Sequence, residues 1–262
     1  MRYLLILLFL PLLTGQASAK IVTKEVYYRP GNDILQGYLA YDDGIEGARP
    51  GVLVFHEWWG INDYIKRRTE EIAKLGYIAF APDMYGRDIR PKDYKEASEL
   101  AGILRGDRTV MRIRAKEGLE VLRENPLADK KRIAAIGYCL GGAVALELAG
   151  SGAEISGAVS FHGSFGALNS GGGDAKNIKA KILVLHGSED RAVPMKEVLF
   201  FQEEMRRAGV DLRMNIYDGA AHSFTNPASG NDPSKGVAYN EKADKESWEA
   251  MKRFFGEIFG KR

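Results

Sequence analysis

The single cysteine of this 262-residue chain, Cys139, lies in the run Gly137-Tyr138-Cys139-Leu140-Gly141-Gly142. A lone thiol closes no intramolecular disulfide, so it reads either as a small buried apolar residue or as a nucleophile. Its surroundings favour the nucleophile. An apolar strand pattern, Arg132 to Gly137, runs straight into the motif, and the Ala- and Leu-rich helix pattern Leu140 to Ala149 leaves it. Glycines at positions 137 and 141 leave room for a sharp strand-to-helix turn, the context of a nucleophile elbow with cysteine in place of serine. That turn sets the sulfur over the first turn of a helix, where unpaired N–H groups and the dipole favour a thiolate. An acid and a histidine should follow in the chain, each after a strand. Asp190 ends Gly187-Ser188-Glu189-Asp190, and His222 ends Asp218-Gly219-Ala220-Ala221-His222. Asp190 also reads as an N-cap for a helix near Met195, and Glu189 competes for the acid's role. Cysteine, histidine and carboxylate in this order are the parts for acyl transfer through a thioester.

The other three histidines, His56, His162 and His186, each stand at or near the end of an apolar strand pattern. None has the right order relative to Cys139 and Asp190, so each reads as a hydrogen-bonded histidine at the sheet rim. No histidine pair has metal spacing and no second cysteine exists, so neither a metal nor another cofactor is expected. His56-Glu57-Trp58-Trp59-Gly60 follows a strand that precedes the elbow. In such a fold this loop supplies one oxyanion-hole N–H and the residue after the nucleophile supplies the other. Those donors are Trp58 and Leu140, and at least one tryptophan is expected to line the pocket.

The elements that must hold these residues alternate. Val26 to Arg29 and Ile34 to Tyr41 read as an opening hairpin at the sheet edge. Further strands are expected over Gly51 to His56, Tyr77 to Ala81, Arg132 to Gly137, Ile155 to Phe161, Lys181 to His186 and Leu212 to Tyr217. Helices are expected from Asn62 or Asp63 to about Leu75, around Lys92 to Arg105 and Val110 to Arg123, over Leu140 to Ala149, from Met195 to Ala208, and from Glu241 to Phe259. Alternating apolar strands and helices imply a mostly parallel sheet of about eight strands with helices on both faces, the α/β-hydrolase architecture. Such sheets bind ligands beyond the carboxyl ends of their strands, where Cys139, Asp190 and His222 all fall. Asn169 to Asp174 and Asn226 to Lys235 read as polar loops.

The chain carries 37 Lys and Arg against 35 Asp and Glu, a formal charge of +2. That balance gives no electrostatic case for nucleic acid or an anionic membrane as partner. Arg2, the apolar run Tyr3 to Leu13 and the small residues Ala17-Ser18-Ala19 have the layout of a secretory signal cut before Lys20. The apolar run is too short to cross a bilayer. Residues 1–19 are therefore expected to be a leader, and residues 20–262 one domain, periplasmic or secreted, with no stable membrane insertion after cleavage.

Taken together, His56-Glu57 before Gly60, Ala81-Pro82-Asp83-Met84-Tyr85-Gly86-Arg87, the Cys139 motif, Gly187-Ser188-Glu189-Asp190 and His222-Ser223-Phe224 resemble the dienelactone hydrolase family over nearly the whole of residues 20–262. The final stretch from Ser247-Trp248-Glu249-Ala250 to Phe255 is also similar. The resemblance implies a carboxylic ester hydrolase of the carboxymethylenebutenolidase kind, with Cys139, Asp190 and His222 as triad. It implies that Glu57 pairs with the thiol at rest and that Arg87 holds a substrate carboxylate, with Tyr138 and Asn226 completing the thiol-pairing and substrate-binding set. Asn226 falls where the family's enzymes of chloroaromatic breakdown have a second carboxylate-binding arginine. Asparagine hydrogen-bonds an anion but brings no charge.

The expected activity is cleavage of a small activated ester or lactone, because a thiolate is a good leaving group and expels a poor alkoxide reluctantly. Thioester hydrolysis or acyl transfer on the same triad is the alternative, as is a non-catalytic ligand-binding member of the fold.

Overall fold

A computed structural model describes residues 20–166, 168 and 174–260. The expected leader, residues 1–19, and all but the last residue of the expected loop Asn169 to Asp174 lie outside the described residues.

Eight strands form one sheet in the order β1-β2-β4-β3-β5-β6-β7-β8. β1 (Ile21–Tyr28) and β2 (Leu35–Asp42) make the antiparallel edge hairpin, and β2 pairs antiparallel with β4 (Ile78–Ala81). The remaining strands, β3 (Arg49–Phe55), β5 (Ala128–Tyr138), β6 (Gly157–Phe161), β7 (Lys181–Gly187) and β8 (Leu212–Tyr217), are parallel to one another and to β4. The expected α/β-hydrolase architecture is the one observed.

Side chains alternate across the central strands and feed two separate cores. Leu53, Phe55, Ile133, Ala135 and Val184 pack beneath α2 (Tyr94–Gly106), α3 (Arg108–Glu124), α4 (Leu140–Gly150) and α5 (Met195–Ala208). Val52, Val54, Ala134, Ile136 and Leu185 pack on the other face beneath α1 (Asp63–Lys74) and α6 (Glu241–Phe259). Covering both faces is what lets these strands be apolar throughout. α4 is buried along its entire length, and its one charged residue, Glu147, is paired with Arg108 and Arg112 of α3.

Some boundaries differ from expectation for local reasons. β1 begins at Ile21, where half-exposed edge residues carry no apolar alternation. β5 begins at Ala128, because the register against β3 shifts between Pro50 and Gly51 and the intervening charged residues remain in solvent. α2 begins at Tyr94 because the side chain of Asp93 accepts the N–H of Glu96 at 2.9 Å and caps it. Asn62 caps α1 in the same way.

Candidate active site

β5 ends at Tyr138, α4 starts at Leu140, and Cys139 between them makes the whole turn. Its backbone sits at φ 54°, ψ −115°, a conformation that a non-glycine residue adopts at a cost. The glycines explain how the turn closes. A Cβ on Gly137 would stand 1.9 Å from the Gly141 carbonyl oxygen, and one on Gly141 would stand 2.2 Å from that of Phe55. The Cys139 N–H is held by the Phe161 carbonyl at 3.0 Å and by Nδ1 of His162 at 3.1 Å.

His222 lies between the sulfur and the acid. Its Nε2 is 3.1 Å from Cys139 Sγ and its Nδ1 is 2.8 Å from Asp190 Oδ2. The second Asp190 oxygen accepts the N–H groups of Ala192 and Val193, each at 2.9 Å, so the carboxylate is fixed with one lone pair free for the ring. Glu189 points to solvent whereas Asp190 is buried, which decides between the two acids. Pro194, not Asp190, precedes α5 as its cap residue. Burial lowers the pKa of His222, but Cys139 and Asp190 outweigh it and hold the imidazole well above its ordinary range.

Glu57 is fully buried beside this trio, and burial pushes its carboxyl above the ordinary range. Its partners correct the expectation that it pairs with the thiol. Oε1 accepts Ser223 Oγ–H at 3.3 Å and Oε2 accepts Asn226 Nδ2–H at 2.8 Å, while the sulfur faces His222. The side-chain oxygen of Asn226 caps its own turn through Ala228 N–H, so both ends of that amide are engaged within the protein.

Two further expectations are corrected. Tyr138 is not at the site. One position before Cys139 on a strand, it faces the opposite side of the sheet, stacked on Phe161 at 4.6 Å and fully buried with α1 and α6. Arg87 is half-exposed, pairs with Asp88 at 3.2 Å and lies over the Tyr27 ring, and its backbone N–H donates to the Ile34 carbonyl.

Trp58 lies in the loop that follows β3 and lines the cleft, and Leu140 follows Cys139 directly. Leu140 is the first residue of α4, so its N–H has no acceptor within the helix. Trp58 is held from behind, since its carbonyl accepts the Tyr85 hydroxyl at 2.9 Å. The three remaining histidines are buried and hydrogen-bonded, as expected. His162 does more than fill the rim. It accepts the N–H of Cys139, and its Nε2 meets Thr225 Oγ1 at 2.8 Å, which in turn meets the Tyr64 hydroxyl at 2.7 Å. Burial keeps His162 well below the ordinary imidazole range, consistent with a neutral ring whose Nδ1 is an acceptor. From sequence His162 reads only as a rim histidine, and Thr225, Ser223 and Tyr85 receive no individual role. A histidine at the end of β6 becomes informative only once β6 is known to lie beside β5.

A cleft of about 540 Å³ opens beside the site. Trp58, Trp59, Tyr64 and Arg67 line it with Ser223 and Asn226, which bear on Glu57. No group of three or more potential metal-ligating side chains occurs among the described residues.

Comparisons with known proteins agree with this fold. The model of the dienelactone hydrolase family matches residues 35–259. Protein usf of Aquifex pyrophilus is 28% identical over 232 residues, covering 85% of this chain and 93% of that protein. The crystal structure of a dienelactone hydrolase-like promiscuous phosphotriesterase, P91, from metagenomic libraries is 39% identical with a TM-score of 0.86, covering 92% of this chain and 99% of that one. The solved structure m3DLH is 36% identical, also at 0.86, with the same coverage. The chain belongs to the dienelactone hydrolase family and is a hydrolase of the α/β-hydrolase fold.

Proposed function

We propose that the protein hydrolyses small activated carboxylic esters or lactones through an acyl-thioester on Cys139. The observation that carries this reading is one imidazole within hydrogen-bond reach of both Cys139 Sγ, at 3.1 Å, and the buried Asp190 carboxylate, at 2.8 Å.

The steps follow from that line. Asp190 accepts Nδ1–H, which leaves Nε2 directed at the sulfur, and His222 holds the proton that Cys139 gives up. The thiolate attacks the carbonyl carbon, a C–S bond forms, and the carbonyl electron pair moves to oxygen. The oxyanion accepts the N–H groups of Trp58 and Leu140; removing one such donor commonly costs about 3 kcal/mol. Collapse breaks the C–O bond, and the departing oxygen takes the proton from Nε2. Water then attacks the thioester as Nε2 removes its proton, the thiolate is expelled, and the carboxylic acid leaves. Since sulfur leaves more readily than a simple alkoxide, aryl esters, enol esters and strained lactones suit the site.

We further propose that the enzyme works outside the cytoplasm as residues 20–262, on the basis of Arg2, the apolar run Tyr3 to Leu13 and Ala17-Ser18-Ala19.

With p-nitrophenyl acetate, Cys139→Ala is expected to lower turnover by about 10³-fold or more while the protein stays folded. Intact-mass analysis of the quenched wild type should find an acetyl group on Cys139. Retained turnover in the folded variant would defeat the mechanism.

A further inference from the structure

Trp58, Trp59 and Tyr94 form a three-ring cluster, every pair edge-on or nearly so, with centroids 5.4, 5.9 and 5.1 Å apart. All three line the cleft beside the triad. Tyr94 is the first residue of α2 and is 71% exposed, so the cluster is not a core that happens to reach the surface. Large aromatic side chains gain by burial, and contiguous exposed ones in a cleft mark a place where something else covers them. The lining of the cleft also includes the Arg67 guanidinium, which lies over the Tyr64 ring at 5.5 Å. A planar ring entering the cleft therefore has both aromatic partners and a cation suited to a π face in its lining.

The cluster's attachment limits where that ring belongs on a substrate. Trp58 carries both an indole of the cluster and the backbone N–H proposed to grip the reacting carbonyl, and Tyr85 fixes its carbonyl from behind. One rigidly held residue thus spans from the oxyanion to the aromatic wall. We propose that the cleft selects esters bearing an aromatic ring a few bonds from the reacting carbonyl, on either the acyl or the leaving-group side. This substrate class rests on the hydrolase reading above for the identity of the reacting bond; the ring subsite itself does not.

Two matched pairs test it. On the acyl side, trifluoroethyl phenylacetate is compared with trifluoroethyl cyclohexylacetate, and on the leaving side phenyl acetate with hexafluoroisopropyl acetate. The aromatic member of at least one pair should have a kcat/KM about tenfold higher, falling to about twofold or less in Tyr94→Ala and in Trp59→Leu. Whichever pair discriminates identifies the side. Binding is read separately, through tryptophan fluorescence, because two of the three tryptophans are in the cluster. Phenylacetamide should change it at several-fold lower concentration than cyclohexylacetamide, and Tyr94→Ala should abolish the difference. Equal responses to the two amides, or an aromatic preference that survives in both variants, would overturn the subsite. If the amides discriminate as expected while no ester is hydrolysed, the hydrolase reading fails and the subsite stands.

Discussion

His222 is where opposing effects on the site meet. Burial of its ring disfavours the charged imidazolium, whereas Cys139 at 3.1 Å and Asp190 at 2.8 Å favour it, and the pair of partners prevails. The folded value therefore lies above the ordinary value of 6.5. The stability it contributes is complete below that pH and is lost as pH rises through the folded value. Cys139 is the larger of the raising influences, so a Cys139→Ala variant should show a His222 Cε1–H resonance titrating at lower pH than in the wild type. An unchanged or higher midpoint in the variant would mean that the sulfur does not share its charge with the ring. Glu57 shows the opposite case for an acid. Burial raises it, while Asn226, the His222 charge and Ser223 oppose that rise. It stands behind the histidine loop, hydrogen-bonded to Ser223 and Asn226 rather than to the thiol.

Among the elements, the elbow between β5 and α4 carries the most constraint. Cys139 occupies a left-handed conformation because both neighbouring segments are fixed, β5 by parallel pairing on either side and α4 by burial along its whole length. Gly141 lies so close to Phe55 of β3 that a methyl group there would stand 2.2 Å from a backbone oxygen, which cannot swing aside as a side chain would. Gly141→Ala is therefore expected to destabilise the fold by about 3 kcal/mol or more, measurable as a lowered urea midpoint, and to lose activity with it. The loop after β3 is tied to the loop after β4 in two places: His56 Nε2 accepts Met84 N–H at 3.1 Å, and the Tyr85 hydroxyl donates to the Trp58 carbonyl. The run from Ala81 to Arg87 thus acts as a brace for the loop after β3, and Asp83 stiffens it by accepting the N–H groups of Tyr85 and Gly86.

At the scale of the whole molecule, Arg68 ties α1 and α6, the two helices on one face of the sheet, to the loop that bears His222. It reaches from α1 to Asp244 of α6 and, at 2.9 Å, to the Thr225 carbonyl three residues past His222, and it lies over the rings of Tyr64, Tyr138 and Trp248. The last helix therefore helps fix the loop that bears the histidine. β1 begins at Ile21, so removal of residues 1–19 leaves every described strand and helix intact. If the proposed export is correct, protein recovered from the extracytoplasmic fraction of expressing cells should begin at Lys20 by N-terminal sequencing. Full-length chain confined to the cytoplasm would refute it.

Read alone, the chain determined its architecture and named Cys139, Asp190 and His222, the three residues that meet at the candidate site, because both are written locally. Period and punctuation mark Met195 to Ala208 and Glu241 to Phe259 as helices with the observed ends, and the glycine spacing around Cys139 marks a turn that few other residues permit. Partnership across the sheet was not legible in the same way. That Glu57 bonds to Asn226, that His162 receives the Cys139 N–H, that Tyr138 faces away and that Arg87 turns to Asp88 all depend on which strand ends lie side by side and how each loop leaves them. A motif fixes what a residue is able to do, whereas a hydrogen bond between residues 169 positions apart exists only after β3 and the histidine loop have been brought together by the packed sheet.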